Sequence, residues 1–446
     1  MESRRNVELS LLLLALILSV GAYVIVGLTA QNKVPSGTLG YGVTLAVLFI
    51  GAHLVLRRFA SQADPLLLPG AALLNGLGLV MVRRLDYASS RSAQAPSQAL
   101  WTVLGVAVFC AVVIFIRDHR VLDRYRYTWL LGGLFLLVLP AMPFIGREVF
   151  GARLWIKIGP FSGQPSEVAK IALVVFLAAY LAEHKELLAT ATYRVGGVLL
   201  PEVKYFMPLV MAWGVSLFVL FFEKDLGTSL LFFGVFVGLL YVSTGRFSYV
   251  AAGVVLFLLG AFLAYQLFSH LQVRVETWRN PWADYNGKGF QLVQSLFAMA
   301  NGGILGQGWD QGRPQTIPAA STDFIFAAMG EELGLVGVTA ILLVYLLMVF
   351  RGLRIALATS DDFGKLLVAG LVIGFGLQVF VIVGGVTRLI PLTGITLPFV
   401  SFGGSSVVAN YALIALLCRV SSDVTSAPSR AAPAAPSQEG EVTVAR

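Results

Sequence analysis

Asp323 is a candidate general base because of its position in the chain. It ends the Gly- and Pro-punctuated segment GILGQGWDQGRPQTIPAASTDFIF and stands at the start of an apolar run, in which Glu331 and Glu332 follow two turns later. A carboxylate at the rim of an apolar region has its pKa raised by desolvation or lowered by nearby cations, and either shift suits proton transfer. The alternative is that Asp323 only caps the following helix. The residues leave both interpretations open.

The segment GREVFGARLWIKIGPFSGQPSEVAKIAL supplies cations and a carboxylate. Arg147, Arg153 and Trp155 fall on a predicted Gly-rich loop, and Glu167 and Lys170 lie three residues apart on one face of the next helix. A lysine in an apolar span is costly unless it is paired or lines a wet cavity. Two interpretations follow: an ion pair that fixes the helix end, or a cavity wall that binds an anionic headgroup. Trp155 alone is more typical of an interfacial aromatic residue.

Asp225 closes the turn Glu223-Lys224-Asp225, which joins two apolar runs with almost no spare residues. The three charges must therefore lie at a membrane interface. A carboxylate in this position either caps the next helix or takes part in a functional site, and the two hypotheses are about equally supported.

The last apolar block contains Arg388 and then PLTGITLPFVSFGGSSVVANY. Its prolines and its Gly-Gly-Ser-Ser turn exclude a straight helix, and irregular backbone in a membrane is tolerated where it is buried or lines a cavity. Ser405 and Ser406 could offer hydroxyl groups to a phosphate, which is a weak signal by itself.

The composition indicates a membrane protein. Of the 446 residues, 57% are hydrophobic and 13% charged, and the mean hydropathy of +0.81 excludes an ordinary soluble domain. The net charge of +8 does not indicate nucleic-acid binding, because Lys and Arg lie in short loops between apolar runs. Cys110 and Cys418 fall in apolar runs and predict no disulfide framework. The chain has no P-loop, HExxH or CxxC motif, so ATP hydrolysis and a zinc site are not expected.

The elements that must position these residues are apolar runs long enough to cross about 30 Å of hydrocarbon. Twelve such runs are predicted, at 9–29, 40–56, 65–82, 99–116, 128–145, 168–184, 206–222, 226–243, 248–268, 324–350, 366–388 and 402–420. They predict an all-α polytopic membrane protein with one domain over residues 1–420. The first run is interpreted as an uncleaved anchor, and the Ala- and Pro-rich residues 421–446 as a disordered cytoplasmic tail.

The distribution of arginine predicts that both termini lie in the cytoplasm. With an even number of spans, the loops predicted inside carry Arg57, Arg58, Arg117, Arg120, Arg124, Arg126, Arg194, Arg351 and Arg354. The segments 146–167 and 269–323 then lie outside, and the second includes an amphipathic stretch near 289–300 that suits a membrane surface.

Seven blocks taken together carry a family resemblance. They are WIKIGP (155–160), QPSEVAK (164–170), KDLGTSLL (224–231), NPWAD (280–284), GFQLVQSLFAMANGG (289–303), TDFIFAAMGEELGLVG (322–337) and LPFVSFGGSS (397–406). In order and spacing they resemble the SEDS family of bacterial cell-wall proteins, of the RodA/FtsW type. GQGWDQG (306–312) is more similar to the elongation (RodA) members than to the division (FtsW) members.

The resemblance implies a peptidoglycan glycosyltransferase in the bacterial cytoplasmic membrane, acting in cell elongation or division. It implies that the enzyme polymerises lipid II at the outer face and works with a class B penicillin-binding protein, a transpeptidase. The family's essential aspartate falls on Asp323. Its Glu and Lys fall on Glu167 and Lys170, its loop tryptophan on Trp155, and the aspartate of its DLGT motif on Asp225.

The chain departs from the family pattern in two places. The family usually has Pro-Glu and a His just before the TDF block, where this chain has Pro318-Ala319-Ala320-Ser321. The family usually has ten spans, so this chain has two more, both before residue 150. Their even number preserves the predicted orientation.

A mechanism consistent with these residues is an inverting displacement in which Asp323 accepts the proton of the acceptor sugar's 4-hydroxyl. Arg147, Arg153, Lys170 and Arg388 are expected to stabilise the departing lipid diphosphate. The sequence leaves open whether Asp323 also shares a Mg²⁺ or Mn²⁺ ion with the phosphates.

Two other functions remain open. A lipid II flippase or other transporter would use ionisable groups at mid-bilayer, such as Lys170, Glu331 and Glu332. A scaffold without chemistry would tolerate replacement of Asp323. The polymerase is favoured, because Asp323, Asp225 and Glu167 all map to the outer side.

Overall fold

The computed structural model describes residues 2–88, 93–142, 145–149, 152–158, 161–189, 193–195, 198–200, 203–222 and 225–426. These ranges contain fifteen α-helices and five short β-strands. The helices are α1 Glu2–Gln31, α2 Thr38–Phe59, α3 Leu67–Tyr87, α4 Ala95–Phe115, α5 Val121–Arg124, α6 Arg126–Val138, α7 Ser166–Ala189, α8 Val203–Phe222, α9 Leu226–Thr244, α10 Phe247–Leu267, α11 Ser269–Arg279, α12 Phe290–Gly302, α13 Ile325–Ala358, α14 Asp362–Val386 and α15 Gly404–Ser426. The strands are β1 Gly146–Val149, β2 Ala152–Ile158, β3 Phe161–Gly163, β4 Tyr193–Val195 and β5 Val198–Leu200.

Each of the twelve predicted spans corresponds to a helix, and the three remaining helices, α5, α11 and α12, lie between spans. Eight helices of the described part of the chain are long and apolar enough to cross a membrane, and α6 and α8 contain shorter apolar stretches. The predicted all-α polytopic class is therefore confirmed. The predicted amphipathic stretch is the helix α12.

The centre of the bundle is formed by α14 and α15, most of whose residues are buried by other helices. Both are apolar around most of their circumference, which is typical of a helix enclosed by others. α10, by contrast, exposes large apolar side chains along most of its length. In a membrane protein such a surface faces hydrocarbon rather than water.

α13 is broken at Gly334, whose φ of +66° lies in the left-handed region that glycine adopts without strain. The amides that follow the break donate to the loop that precedes Asp323. Leu335 N–H donates to the carbonyl of Gly303 (2.9 Å), and Val336 N–H to that of Ile304 (3.1 Å). The break thus joins the loop before Asp323 to the helix that follows it.

Two predictions are corrected. The segment predicted as a Gly-rich loop after residue 145 contains a three-stranded antiparallel sheet, β1-β2-β3. In ARLWIKI the aliphatic side chains recur at every second residue, which is the period of a strand, and its aromatic and β-branched residues favour strands. The tail does not begin at 421, since α15 continues to Ser426. Its last turns bury Ser421 and Ser422 and pair Arg419 with Asp423. Residues 427–446 lie outside the described part.

The bundle has two ends with different contents. The loop end carries β1–β3, α11, α12 and residues 303–324 and 387–403. The tail end carries the start of α1, the connections 60–66, 116–120 and 359–361, and the end of α15. Arg5 donates to the Ala63 carbonyl and Arg419 to the Phe59 carbonyl (2.7 Å), so both termini of the described chain lie at the tail end.

Candidate active site

Asp323 is delivered to the loop end by a segment that is held from both sides. Ser401 donates to the Thr322 carbonyl (2.7 Å), and Phe402 N–H donates to the Ser321 carbonyl (2.8 Å). α13 then begins at Ile325, and its N-cap is Phe324, without a side-chain cap hydrogen bond. The alternative in which Asp323 only caps the helix is therefore wrong.

The Asp323 carboxylate has no hydrogen-bond partner among the described residues, although it is only partly exposed. Burial raises its pKa to about 6, and the positive charge of Arg274 partly opposes that shift. A carboxylate in this range exchanges protons readily near neutral pH. These properties suit a general base, as predicted.

Arg274, on α11, is the cation that sequence reasoning missed. Its Nη1 donates to the carbonyls of Leu392 and Thr393, each at 2.9 Å. Its Nη2 and Asp323 Oδ2 lie 3.7 and 3.8 Å from the position that a Cβ would take at Gly394. Burial lowers the pKa of Arg274, while the charges of Asp323 and Asp225 raise it. No sequence signal distinguished it from its charged neighbours on α11, which are exposed.

Asp225 is the N-cap of α9, so the capping interpretation is confirmed. Its Oδ1 accepts from Thr228 N–H (3.0 Å), and its Oδ2 accepts from Gln164 Nε2 (3.2 Å). Burial raises its pKa, and the hydrogen bonds from Thr228 oppose that shift. Its charge also acts on Arg274, so Asp225 belongs to the same electrostatic site. Glu223 and Lys224 lie outside the described residues.

Glu167 and Lys170 form the predicted ion pair. Lys170 Nζ lies 3.0 Å from Glu167 Oε2 and 2.6 Å from the side-chain oxygen of Gln378 on α14, which sequence reasoning missed. Gln378 Nε2 in turn donates to the Thr396 carbonyl (2.9 Å). The lysine is 7% exposed. Its ammonium group is thus bound to protein partners, which supports the helix-fixing interpretation.

Ser405 and Ser406 bind protein groups. Ser405 Oγ accepts from Gln164 N–H (2.7 Å), and Ser406 Oγ accepts from Thr396 Oγ1 (2.8 Å) and lies 3.2 Å from Asn410 Nδ2. Ser405 therefore connects the start of α15 to Gln164, which contacts Asp225. These contacts join polar residues at the starts of α7, α9 and α15 into one hydrogen-bond network.

The other predicted cations occupy different places. Arg147 is exposed on β1 and faces Trp155, which is half-buried, across the sheet. The Arg153 side chain lies outside the described part of the structure. Arg388 has a left-handed φ of +62°, and its guanidinium donates to the carbonyls of Trp278 (2.8 Å) and Arg279 (2.7 Å). Arg388 therefore attaches the end of α11 to the end of α14.

Among the described residues, the groups around Asp323 do not by themselves form a metal site. Within the described ranges, the group of three Asp, Glu, His or Cys ligands close enough to share an ion is Asp118, His119 and Asp423, at the tail end. The nearest charged partner of Asp323 is the cation Arg274. A divalent ion here would need most of its ligands from the substrate.

A family model described as "Cell cycle protein", covering FtsW, RodA and SpoVE, matches residues 65–426. The chain belongs to this family. It is 50% identical over 427 residues, 94% of its length and 91% of the relative's, to a Mycobacterium tuberculosis protein named peptidoglycan glycosyltransferase RodA. It is 37% identical to a probable peptidoglycan glycosyltransferase FtsW of Geobacter metallireducens, over 74% of this chain and 85% of that one.

Two solved structures are similar in fold. One is a chain from work on the structural coordination of polymerization and crosslinking by a peptidoglycan synthase complex, with a TM-score of 0.58, 26% identity and coverage of 87% of this chain and 98% of that one. The other is the rod shape determining protein RodA of Thermus thermophilus, with a TM-score of 0.56, 26% identity and coverage of 81% and 97%.

These similarities confirm the predicted family, its elongation-type resemblance, and the enzyme class, a peptidoglycan glycosyltransferase. The family match begins at residue 65, so α1 and α2 precede the matched region. That this chain has two spans more than its family stays a prediction.

Proposed function

We propose that the chain polymerises lipid II into glycan strands, with the loop end facing the outside of the bacterial cytoplasmic membrane and both termini in the cytoplasm. The observation that carries the proposal is Asp323: a desolvated carboxylate with a pKa of about 6, beside Arg274 and without a hydrogen-bond partner in the described structure. A partly buried carboxylate without a hydrogen bond to the described residues adds little to stability, which supports a use in chemistry.

In the proposed reaction, Asp323 accepts the proton of the acceptor sugar's 4-hydroxyl as that oxygen bonds to the anomeric carbon of the donor strand. The bond from that carbon to the lipid diphosphate breaks, and the diphosphate leaves with the electron pair. One displacement inverts the configuration at the anomeric carbon. The proton ends on Asp323 and is released to solvent before the next cycle.

Arg274 supports this reaction electrostatically. It keeps the pKa of Asp323 from rising further, so that the carboxylate is ionised at neutral pH. Its Nη1 binds two backbone carbonyls, and we assign the diphosphate contact to its Nη2, which has no hydrogen bond to a described residue. Lys170 and Arg388, predicted for that contact, are bound to protein groups instead. Arg147 and Arg153 remain candidates for the outer part of the diphosphate site.

The transporter alternative is less well supported. The groups offered for it are buried and bound to protein partners: Lys170 to Glu167 and Gln378, Glu331 to the amide of Arg313 (3.0 Å), and Glu332 to Arg84. Groups in such pairs are not available to escort a headgroup across a bilayer.

A class B penicillin-binding protein is the proposed partner, because a similar structure belongs to a complex that coordinates polymerization and crosslinking. A divalent cation, Mg²⁺ or Mn²⁺, is proposed only as an ion bound together with the substrate, since the described residues alone do not build its site.

The test uses purified full-length protein with fluorescent lipid II, with and without a class B penicillin-binding protein and with Mg²⁺, Mn²⁺ or a chelator. Wild type is expected to make glycan polymer, and Asp323→Asn is not. Equal polymer from both proteins would refute the assigned base. Absence of polymer from wild type, combined with headgroup transfer across liposomes, would favour the transporter.

A further inference from the structure

The segment 304–316, here called the clamped segment, leads toward Asp323 and is attached to α13 by its backbone. Gln307 N–H donates to the Glu331 carbonyl (3.0 Å), and Gly308 N–H donates to the Glu332 carbonyl (2.9 Å). The position of this segment therefore affects the position of the base, which lies seven residues beyond its end.

Arg84, in the last turn of α3, holds the clamped segment through its side chain. Its guanidinium donates to Glu332 Oε1, to Gln315 Oε1 (3.1 Å) and to the Gly312 carbonyl (2.8 Å), and it lies 3.3 Å from Asp310 Oδ1. It is 2% exposed. A planar group with five donors suits simultaneous binding of several acceptors, which a lysine could not reproduce.

Trp309 attaches the same segment to the helices that precede the family match. It packs against an apolar cluster of Ala22, Tyr23 and Val26 from α1 and Val80 from α3. The Tyr23 ring stacks on Tyr41 of α2, with ring centroids 4.3 Å apart and planes 13° apart. α1 and α2 thus form the surface on which the clamped segment rests.

α1 is held tightly in this place. A Cβ at Gly76 of α3 would come within 2.0 Å of Ser19 Oγ, so the two helices cross in close contact. Tyr41 donates its hydroxyl to the Gly76 carbonyl (3.1 Å) at the same crossing. A rigid support of this kind can restrict the clamped segment to one conformation.

The stretch between the clamped segment and Asp323 has few side-chain anchors of its own. Residues 318–321 carry no ionisable side chain, and this stretch is held through its backbone. Gln291 Nε2 donates to the Pro318 carbonyl (3.0 Å), and Phe402 N–H to the Ser321 carbonyl. Side-chain anchoring is supplied upstream, by Arg84 and Trp309.

We propose that Arg84, Trp309 and the α1–α2 pair form a clamp that positions Asp323 for the polymerisation reaction. The inference rests on the proposed function and assigns these residues a positioning role, without contact to substrate. Displacing a catalytic group by about 1 Å costs up to about 100-fold in rate, even when the altered residue is remote. Loss of the clamp is therefore expected to lower kcat and to leave lipid II binding largely intact.

The experiment measures kcat and KM for lipid II with full-length protein that elutes as folded monodisperse protein in detergent. Arg84→Gln and Trp309→Ala are expected to lower kcat about 10- to 100-fold with KM within about twofold of wild type. Trp309→Phe keeps an aromatic ring on the cluster and should restore most of the rate. The matched control is Ile17→Ala, because Ile17 is 68% exposed on the outer face of α1.

A milder variant protects the test against misfolding. Tyr23→Leu keeps apolar volume but removes the stacked ring, and its folded fraction is expected to lose about 3- to 10-fold in kcat. Wild-type kcat in the folded variants, or a rate loss in Trp309→Phe equal to that in Trp309→Ala, would overturn the clamp. A wild type that makes no polymer would instead contradict the proposed function.

Discussion

The two ends of the bundle use their charged side chains in opposite ways. At the tail end, His119 is 3% exposed and lies between two carboxylates, with Nδ1 2.9 Å from Asp423 and Nε2 3.1 Å from Asp361. Burial opposes the charged ring, but the two hydrogen bonds outweigh it and raise the pKa of His119 to about 9. At the loop end, Asp323 has a cation nearby and no hydrogen bond within the described residues.

The difference separates a structural use of charge from a chemical one. The His119 contacts join the α4–α5 connection, the α13–α14 connection and α15, so their value lies in stability. The carboxylate of Asp323 is desolvated without compensation from a hydrogen bond, which weakens the fold and leaves its lone pairs available. Substitutions at the two ends should therefore affect different measurements.

The largest expected effect is on the rate of Asp323→Asn. This variant should lose about 1,000-fold in polymerisation because the amide cannot accept the proton. Its melting temperature should be equal to or above that of wild type, since a desolvated charge is removed. Asp284→Asn, at an exposed carboxylate of the same loop end, is the control and should polymerise normally. A melting temperature well below wild type would show that Asp323 is structural.

His119→Ala should show the reverse pattern. Removing the ring leaves Asp361 and Asp423 without their shared cation and should cost about 3 kcal/mol of unfolding free energy. The rate per folded molecule should stay unchanged. Thermal unfolding in detergent measures the first quantity, with Arg124→Ala, exposed at the same end, as control. An unaltered melting temperature would contradict the structural role.

The sign of the pH dependence follows from the two pKa shifts. Because the pKa of His119 is raised, its stabilising contribution is complete below about pH 6.5 and is lost as the pH rises through about 9. Burial opposes ionisation of Asp361, but hydrogen bonds from His119 and Gly364 N–H lower its pKa to about 2. Its contribution is therefore lost only as the pH falls through that value. The unfolding free energy of wild type should accordingly exceed that of His119→Ala at pH 7, and the two values should be similar above pH 9.

A smaller effect is expected for Arg274→Gln, about tenfold in rate at pH 7. Wild-type polymerisation should rise with pH around a midpoint of about 6, where Asp323 ionises. Without the guanidinium the pKa of Asp323 rises, so the midpoint of the pH–rate profile should move to higher pH. Raising the pH should then recover part of the rate. Arg279→Gln, at an exposed arginine of α11, should leave the midpoint of the pH–rate profile unchanged. An unchanged midpoint in Arg274→Gln would show that Arg274 does not affect the pKa of the base.

The smallest expected effect is that of Asp225→Asn, a few-fold in rate. Asparagine caps helices about as well as aspartate, so stability should change little. Only the charge that faces Arg274 is removed. A rate equal to that of wild type would reduce Asp225 to its capping role, whereas a 1,000-fold loss would make it a direct participant.

The sequence alone supported much of this description. Long apolar runs predicted the positions of twelve helices, of which eight in the described part are long and apolar enough to cross a membrane. The blocks around Glu167, Asp225 and Asp323 carried the family resemblance, and that resemblance selected Asp323 as the base where the residues alone left a capping role open. The sheet after residue 145 was missed, since strands of three to seven residues give a short pattern.

Tertiary structure decided which charges are paired and which remain available. Arg274, Gln378 and Arg84 find their partners across distances of 49 to 248 residues in sequence, counted from Asp323, Lys170 and Glu332. Periodicity reports neighbours within one helix, whereas these pairings depend on how helices cross. The sequence therefore determined where polar groups enter the membrane, and packing determined that Lys170 and Arg388 are bound to protein while Asp323 is not.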